Sequence, residues 1–127
     1  MRRELAPHYF EATSASSHLG YFHVTGILLP RLRATPGARI VSVASEAHRF
    51  GALDLDDLHS EKKFAAMRVY GKSKSANIHF TRELARRYGS LPLTINCVHP
   101  GGVATNLGAG PGPWLDRVHK LVMLFMQ

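Results

Sequence analysis

The sequence holds one cysteine, Cys97, which excludes an internal disulfide. No Cys/His cluster has the spacing of a zinc site, so no metal is expected and a reducing, cytoplasmic compartment is the default. The eight histidines are scattered. No charged, then apolar, then small-residue leader opens the chain, and no apolar run is long enough to cross a bilayer, so neither export nor a spanning helix is expected. Acidic side chains are scarce, 9 against 16 Lys and Arg, for a formal charge of +7. That excess would suit a nucleic acid, but the basic residues spread from Arg2 to Lys120 and their densest groups, Lys62-Lys63 and Arg86-Arg87, are only pairs. Without a basic stripe or interleaved aromatics they read as solvated surface, and no nucleic-acid partner is expected. There is no internal repeat or low-complexity tract. With 127 residues, 45% of them apolar, one small domain is the ceiling.

What is present reads as alternating helix and strand. From His8 to about Leu32, the residues Phe10, Ala15, Leu19, Phe22, Ile27 and Leu28 recur at roughly helical spacing. Pro30 is expected to kink or nearly end that helix, and Thr35-Pro36-Gly37 to turn the chain. Arg39 to Ser45 is the clearest strand: Ile40, Val41 and Val43 form a β-branched run suited to a sheet covered on both faces. Residues 46–68 are mixed and polar, a long connection with room for one short helix. A second helix runs to about Tyr88, with Ala76, Phe80, Leu84 and Tyr88 as its apolar stripe, Glu83, Arg86 and Arg87 outside it, and Gly89 as its stop. Leu93 to Val98 is a second strand, ending at His99-Pro100-Gly101-Gly102. After the Gly108 to Gly112 loop, Pro113 opens a last amphipathic helix with Trp114, Leu115, Val118, Leu121, Val122 and Phe125 on one face. Packing on the core or covering a ligand is favoured there over contact with a membrane surface.

The chemistry gathers where strands end. Tyr70 and Lys74 stand four residues apart, hence on one face of the second helix. Tyrosine is a poor base at neutral pH, with a pKa near ~10, but a nearby positive charge favours the phenolate. Such a pair also arises by chance on many helices. Here it joins Ser45, closing one strand, to Pro100-Gly101, closing the other, and ligands of α/β sheets bind beyond the carboxyl ends of strands. A serine hydroxyl that holds a carbonyl oxygen beside a tyrosine that gives or takes its proton makes a carbonyl–alcohol site.

Ser45, Tyr70-x-x-x-Lys74 and Pro100-Gly101-x-x-x-Thr105, in this order, resemble the carboxyl-terminal part of the short-chain dehydrogenase/reductase family. Retinol-dehydrogenase-like and WW-domain-oxidoreductase-like members share the texture of His18-Leu19-Gly20-Tyr21-Phe22, Arg39-Ile40-Val41-Ser42-Val43-Ala44-Ser45-Glu46-Ala47-His48, Tyr70-Gly71-Lys72-Ser73-Lys74-Ser75-Ala76-Asn77 and His99-Pro100-Gly101. The resemblance implies an α/β fold, a partial Rossmann-like doubly wound parallel sheet ordered helix, strand, long loop, helix, strand, helix. On this reading residues 1–127 are one incomplete domain, with a catalytic half over 8–107 and the start of a substrate-covering segment over 108–127.

Carried over by position, the resemblance makes Tyr70 the general acid/base and Lys74 its electrostatic partner and a hydrogen-bond donor to the nicotinamide ribose. Ser45 would hold the substrate oxygen. Tyr70 and Lys74, with Pro100, Gly101, Val103 and Thr105, would contact NAD or NADP. The implied reaction interconverts an alcohol and a carbonyl, on a retinoid-like or other lipophilic substrate. Two departures stand out. Ser17 occupies the position where the family usually carries an active-site Asn, and the Gly-rich turn that cradles the pyrophosphate has no counterpart. The expectation is therefore a catalytic-half fragment, or else a non-catalytic truncated product that associates with full-length relatives. The family's subunit interface would fall on the helix ending near Leu32 and the helix containing Tyr70, and a full-length form could be membrane-associated.

Overall fold

The structure, a computed structural model, describes residues 3–6 and 11–101. Two parallel strands, β1 (Ala38–Val43) and β2 (Leu93–Val98), pair in register from Ala38 opposite Leu93 to Val43 opposite Val98. The first helical run is continuous but not uniform: α1 (Ala12–Ser14) passes through a π-helical turn (Ala15–Leu19) into α2 (Gly20–Arg33). Glu11 starts it, its carboxylate accepting the Ser14 N–H at 2.7 Å. Pro30 sits in the last turn of α2, which ends at Arg33, close to the expected Leu32. Pro30 and Gly26, whose carbonyl loses its partner, both face solvent, where water replaces the missing bond.

The strand after the first turn ends two residues earlier than the sequence suggests. Ser45 lies past β1, although Ala44 still donates to the Val98 carbonyl at 2.8 Å. The connection to the next helix contains two 3-10 turns, Glu46–Phe50 and Leu55–Asp57, rather than one short helix. The long helix α3 (Ala66–Tyr88) begins four residues before Tyr70. The expected last helix, the Gly108 to Gly112 loop, and the helix start at His8 and Phe10 lie outside the described residues.

One face of the sheet is covered. Ile40, Leu84 and Leu93 form the buried cluster, with Leu29, Leu32, Phe80, Tyr88 and Ile95 packed around it. Each fully buried aliphatic side chain contributes about 1.5–3 kcal/mol, so this small centre is a modest stabiliser. The opposite face is open, contrary to the expectation of a sheet covered on both sides. Val41, Val43 and Val98 are 52%, 37% and 43% exposed, because no described element packs there. The apolar stripe on α3 matches expectation at Phe80, Leu84 and Tyr88, and outside it Arg86 and Arg87 both bond Glu83. Hydrogen bonds from Arg86, then from Arg87, lower the pKa of the half-buried Glu83 carboxyl to about 2. Among the described residues no helix is long and apolar enough to cross a membrane.

Backbone contact fixes how α3 meets the sheet end. A Cβ at Gly71 would stand 2.3 Å from the Ala47 carbonyl oxygen, and one at Gly51 would stand 2.1 Å from the Lys72 nitrogen. Only glycine permits this approach of α3 to the Glu46–Phe50 turn. Replacing a helix-interior glycine by alanine ordinarily gains about 1 kcal/mol. Gly26→Ala in α2, where nothing lies within 4 Å, is expected to show that gain in urea unfolding. Gly71→Ala should show the reverse, a loss on the order of 1–3 kcal/mol, because the obstructing atoms are backbone and cannot swing aside.

Candidate active site

Ser45 is extended, with φ −156° and ψ 155°, and caps the Glu46–Phe50 turn. Its hydroxyl accepts the Ala47 N–H at 3.3 Å, and its carbonyl accepts from His48 Nδ1 at 2.8 Å. The side chain is half-buried at the sheet end. Tyr70 reaches the same region because its neighbour Gly71 lies against Ala47, two residues from Ser45. One helical turn later, Lys74 brings its ammonium to 5.4 Å from the centre of the Tyr70 ring and 5.8 Å from that of Tyr21. The same ammonium donates to the Val43 carbonyl at 3.2 Å. Ser45, Tyr70 and Lys74 thus gather at the carboxyl end of β1, as their order in the sequence suggests.

Lys74 is only 7% exposed, and among the described residues no carboxylate pairs with it. Burial lowers its pKa from the ordinary lysine value, and the neighbouring Cys97 opposes that shift. The site therefore holds a cation that is costly to bury and is compensated by a carbonyl dipole and two aromatic faces.

Three residues beyond Lys74 lies Asn77, which the sequence reading does not single out. It is 0% exposed. Its Nδ2 donates to the Ser17 carbonyl at 3.0 Å and to the Val43 carbonyl at 3.3 Å, while Oδ1 meets His18 Nδ1 at 2.9 Å. Ser17 thus takes part here through its backbone, a contribution that loss of the usual Asn side chain does not remove. Its place in the π-helical turn, where Gly20 bonds back to Ala15, is a local geometry often found at functional sites. One signal for Asn77 was available: Tyr70, Lys74, Asn77 and Thr81 recur at helical spacing, a polar stripe beside the apolar one.

At the other strand end, His99 Nε2 pairs with Glu46 at 2.9 Å, while Nδ1 accepts the Gly101 N–H at 3.3 Å. Glu46 also pairs with Arg49. One carboxylate therefore ties the loop after β1 to the loop after β2. Gly101 has φ +78°, a left-handed conformation for which glycine is suited, and nothing lies within 4 Å of where its Cβ would be. Pro100 and Gly101 are exposed at this edge, while Val103 and Thr105 lie outside the described residues. Among the described residues no group of three His, Cys, Asp or Glu side chains is placed to hold a metal ion.

These elements belong to an oxidoreductase family: the short chain dehydrogenase model matches residues 1–115, and the chain is a member of that family. Within it the chain is retinol-dehydrogenase-like. It is 46% identical over 99 residues to human retinol dehydrogenase 14, covering 78% of this chain and 30% of that protein. To human retinol dehydrogenase 12 it is 44% identical over 98 residues, covering 77% and 31%. A crystal structure of an uncharacterized protein from Mycobacterium paratuberculosis superposes with a TM-score of 0.73 at 38% identity, covering 86% of this chain and 40% of that one. The chain spans about 30% of the length of the retinol dehydrogenases it matches.

The buried ammonium gives stability a pH dependence with a definite sign. Because the folded pKa of Lys74 lies below its unfolded value, the unfolded chain binds more protons between the two, and stability rises with pH across that window. Wild type is expected to gain on a Lys74→Met variant as pH is raised from the depressed value toward 10.5, the ordinary lysine value, in urea unfolding series at successive pH. A difference that stays flat or falls would contradict a depressed Lys74.

Proposed function

We propose that Ser45, Tyr70 and Lys74 form the proton-handling end of an NAD(P)-dependent oxidoreductase that interconverts an alcohol and a carbonyl. The observation that carries this reading is the nearly buried Lys74 ammonium 5.4 Å from the Tyr70 ring, on a helix packed against the turn that Ser45 caps. In this role Tyr70 gives its phenolic proton to the carbonyl oxygen in reduction, or takes the hydroxyl proton in oxidation. Ser45 holds that oxygen by a hydrogen bond, and Lys74 supplies the positive charge that supports the exchange. The retinol dehydrogenase relatives make a lipophilic alcohol or aldehyde, retinoid-like in shape, the favoured substrate class.

The residues present suit one end of the dinucleotide. One of the three Lys74 N–H bonds is committed to Val43, which leaves donors for a ribose hydroxyl. Gly101 offers an open backbone approach at the neighbouring strand end, and Pro100, Val103 and Thr105 complete the proposed nicotinamide side. When bound, the nicotinamide supplies or accepts the hydride, and the chain contributes position and proton management. Among the described residues no glycine-rich turn joins a strand directly to a helix start, since residues 44–65 intervene between β1 and α3. The pyrophosphate end therefore calls for protein outside these elements.

Turnover of NAD(P)H with retinal and small aldehydes, measured on this chain completed with the remainder of a retinol dehydrogenase sequence, tests the assignment. Tyr70→Phe should lower kcat about 100-fold or more, and wild-type rates in that variant would reject it. A second reading draws on the short span of the chain and on its exposed helix surface. Phe22, Ile27 and Leu28 of α2 are 57%, 66% and 48% exposed, and Phe22 and Phe80 line a recess of about 350 Å³ between α2 and α3. On this view the chain alone is non-catalytic and associates through these helices with a full-length relative or a second copy. Calorimetric titration of the chain with NAD and NADP separates the two readings: heat of binding favours the enzyme, and its absence together with co-purification of a retinol dehydrogenase favours association.

A further inference from the structure

We propose that Asn77 is the positioning residue of the Tyr70–Lys74 pair, a buried amide that sets where the Lys74 ammonium stands by tying its helix to the end of β1 and to the π-helical turn. The inference rests on the reading above for the purpose of Lys74, but not for the geometry. A primary amide offers two N–H donors and one carbonyl oxygen. The two acceptors nearest its nitrogen, the Ser17 and Val43 oxygens at 3.0 and 3.3 Å, are backbone carbonyls and can never donate. The amide therefore has one permitted orientation, since a flip would set its oxygen against both carbonyls at a fully buried site. Its oxygen then needs a donor, and the available one is His18 Nδ1 at 2.9 Å, which fixes a proton on that nitrogen. Phe80 meets the His18 ring edge-on, at 6.1 Å and 81° between planes, and holds it in place. Thr81 donates its hydroxyl to the backbone carbonyl of Asn77 at 2.7 Å, bracing the helical turn.

The link to Lys74 is the Val43 carbonyl. It accepts from Asn77 at 3.3 Å and from the Lys74 ammonium at 3.2 Å, so both its lone pairs are used and the two donors fix each other's approach. The other groups facing the ammonium are the Tyr70 and Tyr21 rings and Cys97, and among the described residues its hydrogen bond is the one to Val43. The direction in which Lys74 points therefore depends on where Asn77 holds Val43 and the π-helical turn. A merely structural Asn77 would affect stability and leave the titration of Lys74 alone. A positioning Asn77 also keeps water from the ammonium.

Chain labelled at lysine, histidine and asparagine nitrogens, followed by nitrogen NMR, separates these cases without any turnover assay, so a failed oxidoreductase assignment and a failed Asn77 assignment give different results. In the wild type, His18 is expected as the Nδ1–H tautomer, with the Asn77 amide protons exchanging slowly. In Asn77→Ala the Lys74 titration midpoint should move upward, toward an ordinary lysine, as water enters. Leu84→Ala, a core truncation ten residues further along the same helix, should leave that midpoint in place. An Nε2–H tautomer at His18, freely exchanging Asn77 protons, or a Lys74 midpoint unmoved in Asn77→Ala or moved equally in Leu84→Ala would overturn the proposal. If Asn77→Ala does not fold, the wild-type tautomer and amide exchange decide.

Discussion

Every donor buried beneath the carboxyl end of the sheet must find an acceptor, and two of them converge on the carbonyl of Val43. The rest of the site follows from that demand. Burying Lys74 and Asn77 without partners would cost several kcal/mol. Because the partners come from β1 and the π-helical turn, α3 is held in one orientation. Among the described residues no buried side-chain nitrogen or oxygen lacks a hydrogen bond. The polar half of this interior is thus fully satisfied, which is the condition under which a buried network rigidifies a site.

Two kinds of packing divide the work along α3. Toward its carboxyl end Leu84, Phe80 and Tyr88 meet Ile40 and Leu93 through ordinary apolar contact. Toward its amino end, Gly71 and Gly51 bring backbone to within a distance that no side chain allows. The first supplies most of the hydrophobic stabilisation. The second sets geometry, because it places the Ser45 turn against the helical turn that carries Tyr70. The Glu46–His99 pair joins the loops after both strands, so it and the glycine approach converge on one edge.

The fold was legible where local signals were strong. The β-branched run at Ile40 to Val43, the apolar strand Leu93 to Val98 and the stripe through Phe80, Leu84 and Tyr88 all lie in the elements their periodicity predicts. Motif order likewise identified the strand ends where Ser45, Tyr70 and Lys74 gather. Other features depend on tertiary partners and leave little trace in the chain. The π-helical turn at Ala15 to Leu19 sits in a stretch whose spacing is merely helical, and Asn77 shows only as one member of a polar stripe until its three partners, distant in sequence, are known. The two-sided burial inferred for β1 is not met among the described residues for a related reason: composition reports what a strand could cover, whereas coverage requires another element.

That uncovered valine face also bears on heat capacity. Unfolding raises heat capacity chiefly by wetting apolar surface, typically by about 12–15 cal/mol/K per residue for a well-covered globular chain. Val41, Val43 and Val98 are already partly wet in the folded state, so their exposure adds less to the change on unfolding. A smaller change means a less curved dependence of stability on temperature, so this open face lessens what cooling can add.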